Sequence, residues 1–277
     1  MCGGAKAPSY IYINKKLMKN LNFIPLNNDV NKLIAFTPSL DGGWRKNQRI
    51  ESKPFYTETL DVVKMLQKEG WRVDGSYENR NKASRKIGKH CVRLSHPDLG
   101  IKIQGKNEGF ASMYLTNSCN GSSPLNMDFG MYRQVCSNGL VVKDIYADSK
   151  IKHTEKDYNR LPQIIAGLES KIQPMFRKFE HLKNVTLTDK QMRDLAKEAS
   201  LIRFEQDHKI NTDQLLSVRR VEDEGNNLWA VYNRIQENLT QPNMLIDEKG
   251  NLISDISNPL VDISINQGLY DLVEAYA

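Results

Sequence analysis

The sequence predicts an α+β protein: a mainly antiparallel, twisted sheet made by the N-terminal half, with helices from the C-terminal half packed on or beside it. Three observations predict it. Residues 113–154 hold the densest run of β-forming residues and turn signals in the 277-residue chain. Asn120-Gly121 and Asn138-Gly139 in that run accept the positive φ angles of tight reversals. Past His153 the pattern changes to apolar residues at helical spacing, over 158–182 and again over 227–239.

In chain order, residues 1–50 form an N-terminal segment of mixed signals, with a strand and a short helix over 11–26 and a loop at 38–43. Residues 51–156 read as a β-rich core with one leading helix, and 157–277 as a helical region packed on the same core. The leading helix spans 56–70. Thr57 or Thr59 can cap it, Leu60, Val63, Met65 and Leu66 give it an apolar face, and Gly70 stops it. A strand starts at Trp71. The stretch 79–88 is polar and basic. Residues 89–95 alternate, so Cys91 and the Val92/Leu94 pair fall on opposite faces of a half-buried strand. A turn at 97–100 leads to a strand at 101–104. The central strands are expected at 113–116, 129–135, 140–142 and 151–154.

The helix over 158–182 has Pro162 in its first turn and a kink at Pro174. Thr188 and Gln191 form a capping box for a helix running to about Phe204. A helix over 214–220 follows. The amphipathic helix over 227–239 turns Leu228, Val231, Tyr232, Ile235 and Leu239 inward, and a last helix covers 265–277.

Composition bounds the function. A hydrophobic share of 39% and a charged share of 26% are ordinary for a globular chain. No apolar run reaches the roughly 18–20 residues of a membrane span. The first residues lack the basic-then-apolar order of a secretion signal, which points to the cytoplasm. The four cysteines then read as reduced thiols. The net charge is +6, and the window 72–106, with nine basic residues and three acids, equals that excess. Such a window is either a solvated loop or a surface for a polyanion.

Several runs in the middle of the chain resemble a known family. They are KEGW (68–71), HCVRL (90–94), LTNSCNGSS (115–123), MYRQVCSNGLVV (131–142), KHT (152–154) and NLWAVYNRIQENL (227–239). Together they are similar to the phage/plasmid-like protein family catalogued as domain of unknown function 932, over roughly residues 50–245. The resemblance implies a setting among phages and mobile elements, hence a host cytoplasm, and it implies no reaction. One departure is visible: Asn117-Ser-Cys-Asn-Gly121 stands where the family pattern has Asn-Ser-His-Asp-Gly.

Enzyme signatures are missing from the sequence. There is no phosphate-binding glycine loop, no dinucleotide fingerprint and no serine nucleophile elbow. His90, Cys91, His96, Cys119, Cys136 and His153 lack the spacing of a closed zinc site. No cofactor or metal is expected. The expectation is therefore a non-enzymatic protein that binds nucleic acid, single-stranded DNA in replication or recombination above all. Arg85, Lys86, Lys89, Arg93 and Arg133 would contact phosphates and Tyr132 would stack on a base, with Tyr77, Tyr114 and Phe129 as further aromatic faces. A second, polar site is read at Asn117, Asn138 and His153. The alternative is an interaction protein that binds and inhibits a host defence protein through an apolar surface away from the basic window. Homo-oligomerisation is left open, and no membrane partner is expected.

Overall fold

The structure is a computed structural model and describes residues 24–40, 55–79, 88–103, 106–133, 139–142, 150–204, 210–241, 245–247 and 249–277. In chain order its elements are β1 (Ile24–Pro25), α1 (Val30–Phe36), α2 (Thr59–Lys68), β2 (Arg72–Glu78), β3 (Lys89–Ile103), β4 (Lys106–Ser118), β5 (Leu125–Arg133), β6 (Gly139–Val142) and β7 (Lys150–Ile151). The helices α3 (Glu155–Ala166), α4 (Leu168–Asn184), α5 (Asp189–Phe204), α6 (Thr212–Leu215), α7 (Leu228–Thr240) and α8 (Pro259–Glu274) follow. The class is α+β, with the sheet in the N-terminal half and most helices in the C-terminal half.

The seven strands form one sheet in the order β1-β2-β3-β4-β5-β6, and β7 pairs with β5. The pairings β1/β2, β2/β3, β4/β5 and β5/β7 are antiparallel. Strand alternation assigns the faces. Ala111, Met113 and Leu115 of β4 oppose Met131, Phe129 and Met127 of β5, and all six are buried. Helices α1 and α2 pack on β2, and α3 packs on α2. They bring Leu33, Val62, Val63, Leu66, Leu161 and Ile165 into the core. The opposite face, with Cys91, Arg93, Ser95, Ser112 and Tyr114, is also buried but mostly polar.

Two compact units result. One comprises Met1–Ile101, Asn107–Leu140 and Asp144–Ile172; the other comprises Lys102–Lys106, Val141–Lys143 and Gln173–Ala277. The division falls inside α4, so α3 belongs with the sheet, beyond the expected boundary at 157.

In the second unit α7 is the central element. Every residue from Leu228 to Thr240 is buried, so this helix is enclosed on all sides and not on the single face that its apolar spacing suggests. Several of its polar residues are matched from its neighbours. Gln236 donates to Asn266 Oδ1 at 2.8 Å, Asn238 donates to the Leu215 and Ser217 carbonyls, and Arg220 grips Glu237 at 2.7 Å.

Several element expectations are corrected. The leading helix starts at Thr59 after Glu58, which makes no side-chain cap bond; the Thr59 hydroxyl faces His90 instead. The strand expected over 151–154 is the two-residue β7, because Thr154 turns to cap α3 and accepts from Asp157 N–H. The long helix over 158–182 breaks at Gly167, and Pro162 lies in the interior of α3 because that helix begins earlier, at Glu155. The helix over 214–220 shrinks to the single turn α6, capped by Asn211. Arg219 and Arg220 beyond it reach the Gln241 carbonyl and Glu237. The capping box is present, with reciprocal Thr188 and Gln191 bonds at 2.9 and 3.3 Å.

Candidate functional site

The expected phosphate contacts divide sharply. Arg93 is fully buried on β3, with its Nε 3.9 Å from the Asp74 carboxylate and its guanidinium 6.0 Å from the Tyr114 ring centroid. The second Asp74 oxygen accepts from the Ser95 hydroxyl at 3.0 Å. Arg133 is likewise buried, at 1% exposure, and donates to Glu108 at 3.4 Å. Neither arginine reaches a phosphate, because strand alternation turns both inward and a carboxylate meets each. Tyr114 and Phe129 are buried too, at 0% and 3%, so neither is an outer platform for bases. The backbone of Tyr132 pairs with Phe110. Arg85, Lys86 and Asn138 lie outside the described residues, as does Cys136.

Lys89 is exposed, and it marks one end of the sheet. Asn79 N–H donates to the Lys89 carbonyl at 3.0 Å, and Cys119 N–H donates to the Gly88 carbonyl at 3.1 Å. Ser118 and Leu125, across the β4–β5 turn, therefore lie at the same end, and Leu125 pairs with Ile151 of β7. Lys150, Lys152 and Lys156 are exposed on and just after β7. None of these four lysines has an ion pair among the described residues. Acids share this end too, among them Glu78 on β2, which pairs with His90 and accepts from Ser39 N–H at 3.1 Å, Glu58 just ahead of α2, and Glu155 and Asp157. Asp157 is already engaged by the Lys152 N–H at 3.1 Å and by Arg160 at 4.0 Å. Half-buried Tyr77 lies on β2, opposite Cys91 and two residues before Asn79.

Of the polar set, Asn117 and His153 do converge, through Thr57. Asn117 Nδ2 donates to the Thr57 carbonyl at 3.2 Å and to Thr59 Oγ1 at 3.0 Å. His153 Nδ1 accepts from Thr57 N–H at 3.2 Å, so Nε2 carries the proton and donates to the Ser123 carbonyl at 2.8 Å. Its ring stacks on Tyr56, with centroids 4.6 Å apart. His90, absent from the expected set, completes the network. It is fully buried, with Nε2 at 2.8 Å from Thr59 Oγ1 and Nδ1 near Ser39 Oγ and the Gly88 carbonyl. The only signal for it in the sequence is its place on a strand that faces a helix start.

This network ties the start of α2 to strands β3 and β4 and to the β4–β5 turn. Both ring nitrogens of each histidine are occupied by protein groups, so neither is poised as an acid or base for a substrate. Burial, with Asp128 nearby and against Arg93, pushes the Cys91 thiol well above its ordinary range, which disfavours the nucleophilic thiolate. Among the described residues, no three His, Cys, Asp or Glu side chains are grouped to hold a metal ion, and no helix is long and apolar enough to cross a membrane.

Comparison with known proteins agrees with this fold-bearing stretch. The model of the Domain of unknown function (DUF932) family matches residues 55–254, from the Phe55/Tyr56 approach to α2 through the segment after α7. The chain belongs to the DUF932 family. Similar proteins include "UPF0380 protein YfjQ" of Escherichia coli (strain K12), 31% identical over 215 residues, which cover 75% of this chain and 75% of that protein. "UPF0380 protein YafZ" of the same organism is 31% identical over 214 residues, with the same coverage. No solved structure matches. The DUF932 match includes the whole His90–Thr59–Asn117–His153 network and most of the sheet, and it leaves out β1 and α1.

Proposed function

We propose that this DUF932 protein is a non-enzymatic binder of nucleic acid, serving a phage or mobile element, with single-stranded DNA as its ligand. One observation carries the reading: the charge is split along the chain. Residues 1–172 hold 27 basic and 16 acidic residues, a formal net charge of +11, whereas residues 173–277 hold 12 and 17, a net charge of −5. The positive part contains the sheet, and the sheet's Lys89 end presents four exposed lysines without ion pairs. The neighbouring segment 80–87 adds Arg80, Lys82, Arg85 and Lys86 to the sequence between Asn79 and Gly88. Phosphate charge is the ligand property that such an end recognises, and Tyr77 supplies an aromatic face beside it.

The test is fluorescence anisotropy of a labelled single-stranded oligonucleotide at several salt concentrations. Binding should be seen at about 50 mM salt and weaken steeply as salt rises, with a log–log slope of about −0.7 per phosphate neutralised. Lys89→Glu and Lys152→Glu should each weaken binding and flatten the slope. Absence of binding at low salt, or reversal variants that bind like the parent protein, would refute the proposal.

A second reading, a protein that docks on a host defence protein, draws on a different observation. Val221 is 78% exposed and Leu252 70%, and both lie in the acidic part of the chain. A nuclease-resistant pull-down that is lost in Val221→Asp and Leu252→Asp variants would favour it over nucleic-acid binding.

A further inference from the structure

The helical unit contains a groove of about 550 Å³, lined by one face of α4, the last turns of α8 and Ala277 beyond it. Its size is within the range of small-molecule sites. On α4, Arg177, Lys178 and His181 line it together, at the spacing that places side chains on one helix face. This gathering of basic groups runs against its surroundings, since residues 173–277 carry a net charge of −5.

The groove's side-chain carboxylate, Glu274, is already committed. It accepts from Lys178 Nζ at 2.7 Å and from the Tyr270 hydroxyl at 2.7 Å. Partial burial raises its pKa, but these two donors outweigh that and hold the carboxyl below its usual range. Burial, reinforced by Glu274, pushes the Tyr270 phenol up, so the phenol stays a donor. Arg177 and His181 are left over. Both are exposed, and neither has a hydrogen-bond or ion-pair partner among the described residues. Pro174, Leu182 and the Tyr270 ring give the groove an apolar floor. The ring is fixed edge-on against Phe179, 6.0 Å away at 82°.

We propose that this groove is a binding site for a small organic anion with a flat apolar body, of the nucleoside monophosphate class. The phosphate is received by Arg177 and His181, and the ring system lies over Pro174, Leu182 and the edge of Tyr270. Arg177 is the main determinant, because a planar guanidinium pairs with phosphate oxygens through two parallel bonds. The site does not depend on the lysine end of the sheet and stands or falls apart from it.

Calorimetric titration of the full chain tests the site, with thymidine 5′-monophosphate as probe and thymidine and inorganic phosphate as controls. The nucleotide should bind at least about tenfold more tightly than either half alone, since both parts of the groove must be filled. Arg177→Glu should weaken nucleotide binding by at least about tenfold without moving the melting temperature, because Arg177 is exposed and unpaired. Lys89→Glu and Lys152→Glu should leave it unchanged, whatever they do to oligonucleotide binding. No binding of the nucleotide at about 10 mM, or equal affinity for inorganic phosphate, would overturn the proposal. So would an Arg177→Glu protein that binds like the parent chain.

Discussion

Replacing Arg93 with alanine separates two roles for a residue that the sequence places among phosphate contacts. The structure makes it a buried partner of Asp74, with side-chain exposures of 0% and 5%. Removing the guanidinium leaves a carboxylate in the sheet interior without its countercharge, with the Ser95 hydroxyl still donating to one of its oxygens. Breaking one side of a buried pair costs about 3–5 kcal/mol. Loss of the guanidinium over Tyr114 adds about 0.5–1 kcal/mol, at the low end because the separation of 6.0 Å is the limit for such contacts. At about 2–4 °C per kcal/mol for a domain of this size, a loss of at least 3 kcal/mol lowers the melting temperature of the sheet unit by about 6–12 °C. Thermal and urea denaturation followed by circular dichroism would measure it. The double variant Asp74→Asn/Arg93→Met should recover much of the loss, because removing both charges also removes the desolvation cost of the pair. An Arg93→Ala protein that melts like the parent but loses oligonucleotide affinity would refute this reasoning and restore the phosphate role.

Four further outcomes are expected. His153→Ala gives up two hydrogen bonds, each worth about 1 kcal/mol net, and a ring stack worth about 0.5–1.5 kcal/mol, so it should destabilise by about 2.5–3.5 kcal/mol in urea titration. Ligand binding by the folded fraction should stay unchanged. Gly70→Ala should cost about 1–2 kcal/mol, because Gly70 has φ +87° and an added Cβ would meet His96 Nε2 at 2.7 Å. Leu66→Ala, by contrast, removes core packing and should cost about 2–5 kcal/mol. Asp247 should titrate below the usual carboxylate range, chiefly because Asn251 donates to it from its side chain at 3.0 Å and also from its backbone. Since the folded pKa is depressed, the turn it organises is fully held above the ordinary aspartate pKa and loosens as pH falls through the lowered value. Asn251→Ala should move the Asp247 pKa upward in an NMR titration.

The parts of the fold that were readable in the sequence are those set by local rules. The Thr188–Gln191 capping box and the Asn120-Gly121 reversal each depend on residues within a few positions, and the structure has both. Strand alternation over 89–95 also assigned Cys91 and Val92 to opposite faces. What alternation could not say was whether the second face met solvent. It is buried, and that is why Arg93 is a structural residue and not a surface one. The same limit applies to α7, where an amphipathic pattern belongs to a helix enclosed by α5, α6 and α8. The polar side of such a helix finds partners at long range, such as Gln236 with Asn266, that spacing within one element does not reveal. Asn117 is singled out by its place in a turn, His153 by its place at the end of the strand expected over 151–154. Their meeting at Thr57 depends on a contact across 96 residues of sequence between Thr57 and His153.

The network around Thr57 and Thr59 bears on where function can reside. In a hydrolytic or transfer site, at least one nitrogen of a catalytic histidine must be open to the reacting group. His90 and His153 have neither nitrogen open: hydroxyls and main-chain groups of the protein occupy both nitrogens of each ring. A buried network in which both histidines and Asn117 are hydrogen-bonded specifies one packing of helix against sheet and resists rearrangement, although the Thr57 hydroxyl itself has no partner among the described residues. Apart from Ser39, it lies inside the stretch matched by DUF932, so the matched stretch accounts for most of the frame on which surface groups are displayed. Specific recognition then has to come from what the frame leaves uncompensated. The groups we propose for that role are the lysines at the Lys89 end of the sheet and the Arg177–His181 groove of the helical unit. The two proposals make separate demands on a ligand, a run of phosphates for one and a single ringed anion for the other. Oligonucleotide and mononucleotide titrations of Lys152→Glu and Arg177→Glu should therefore show each variant impaired in a different assay.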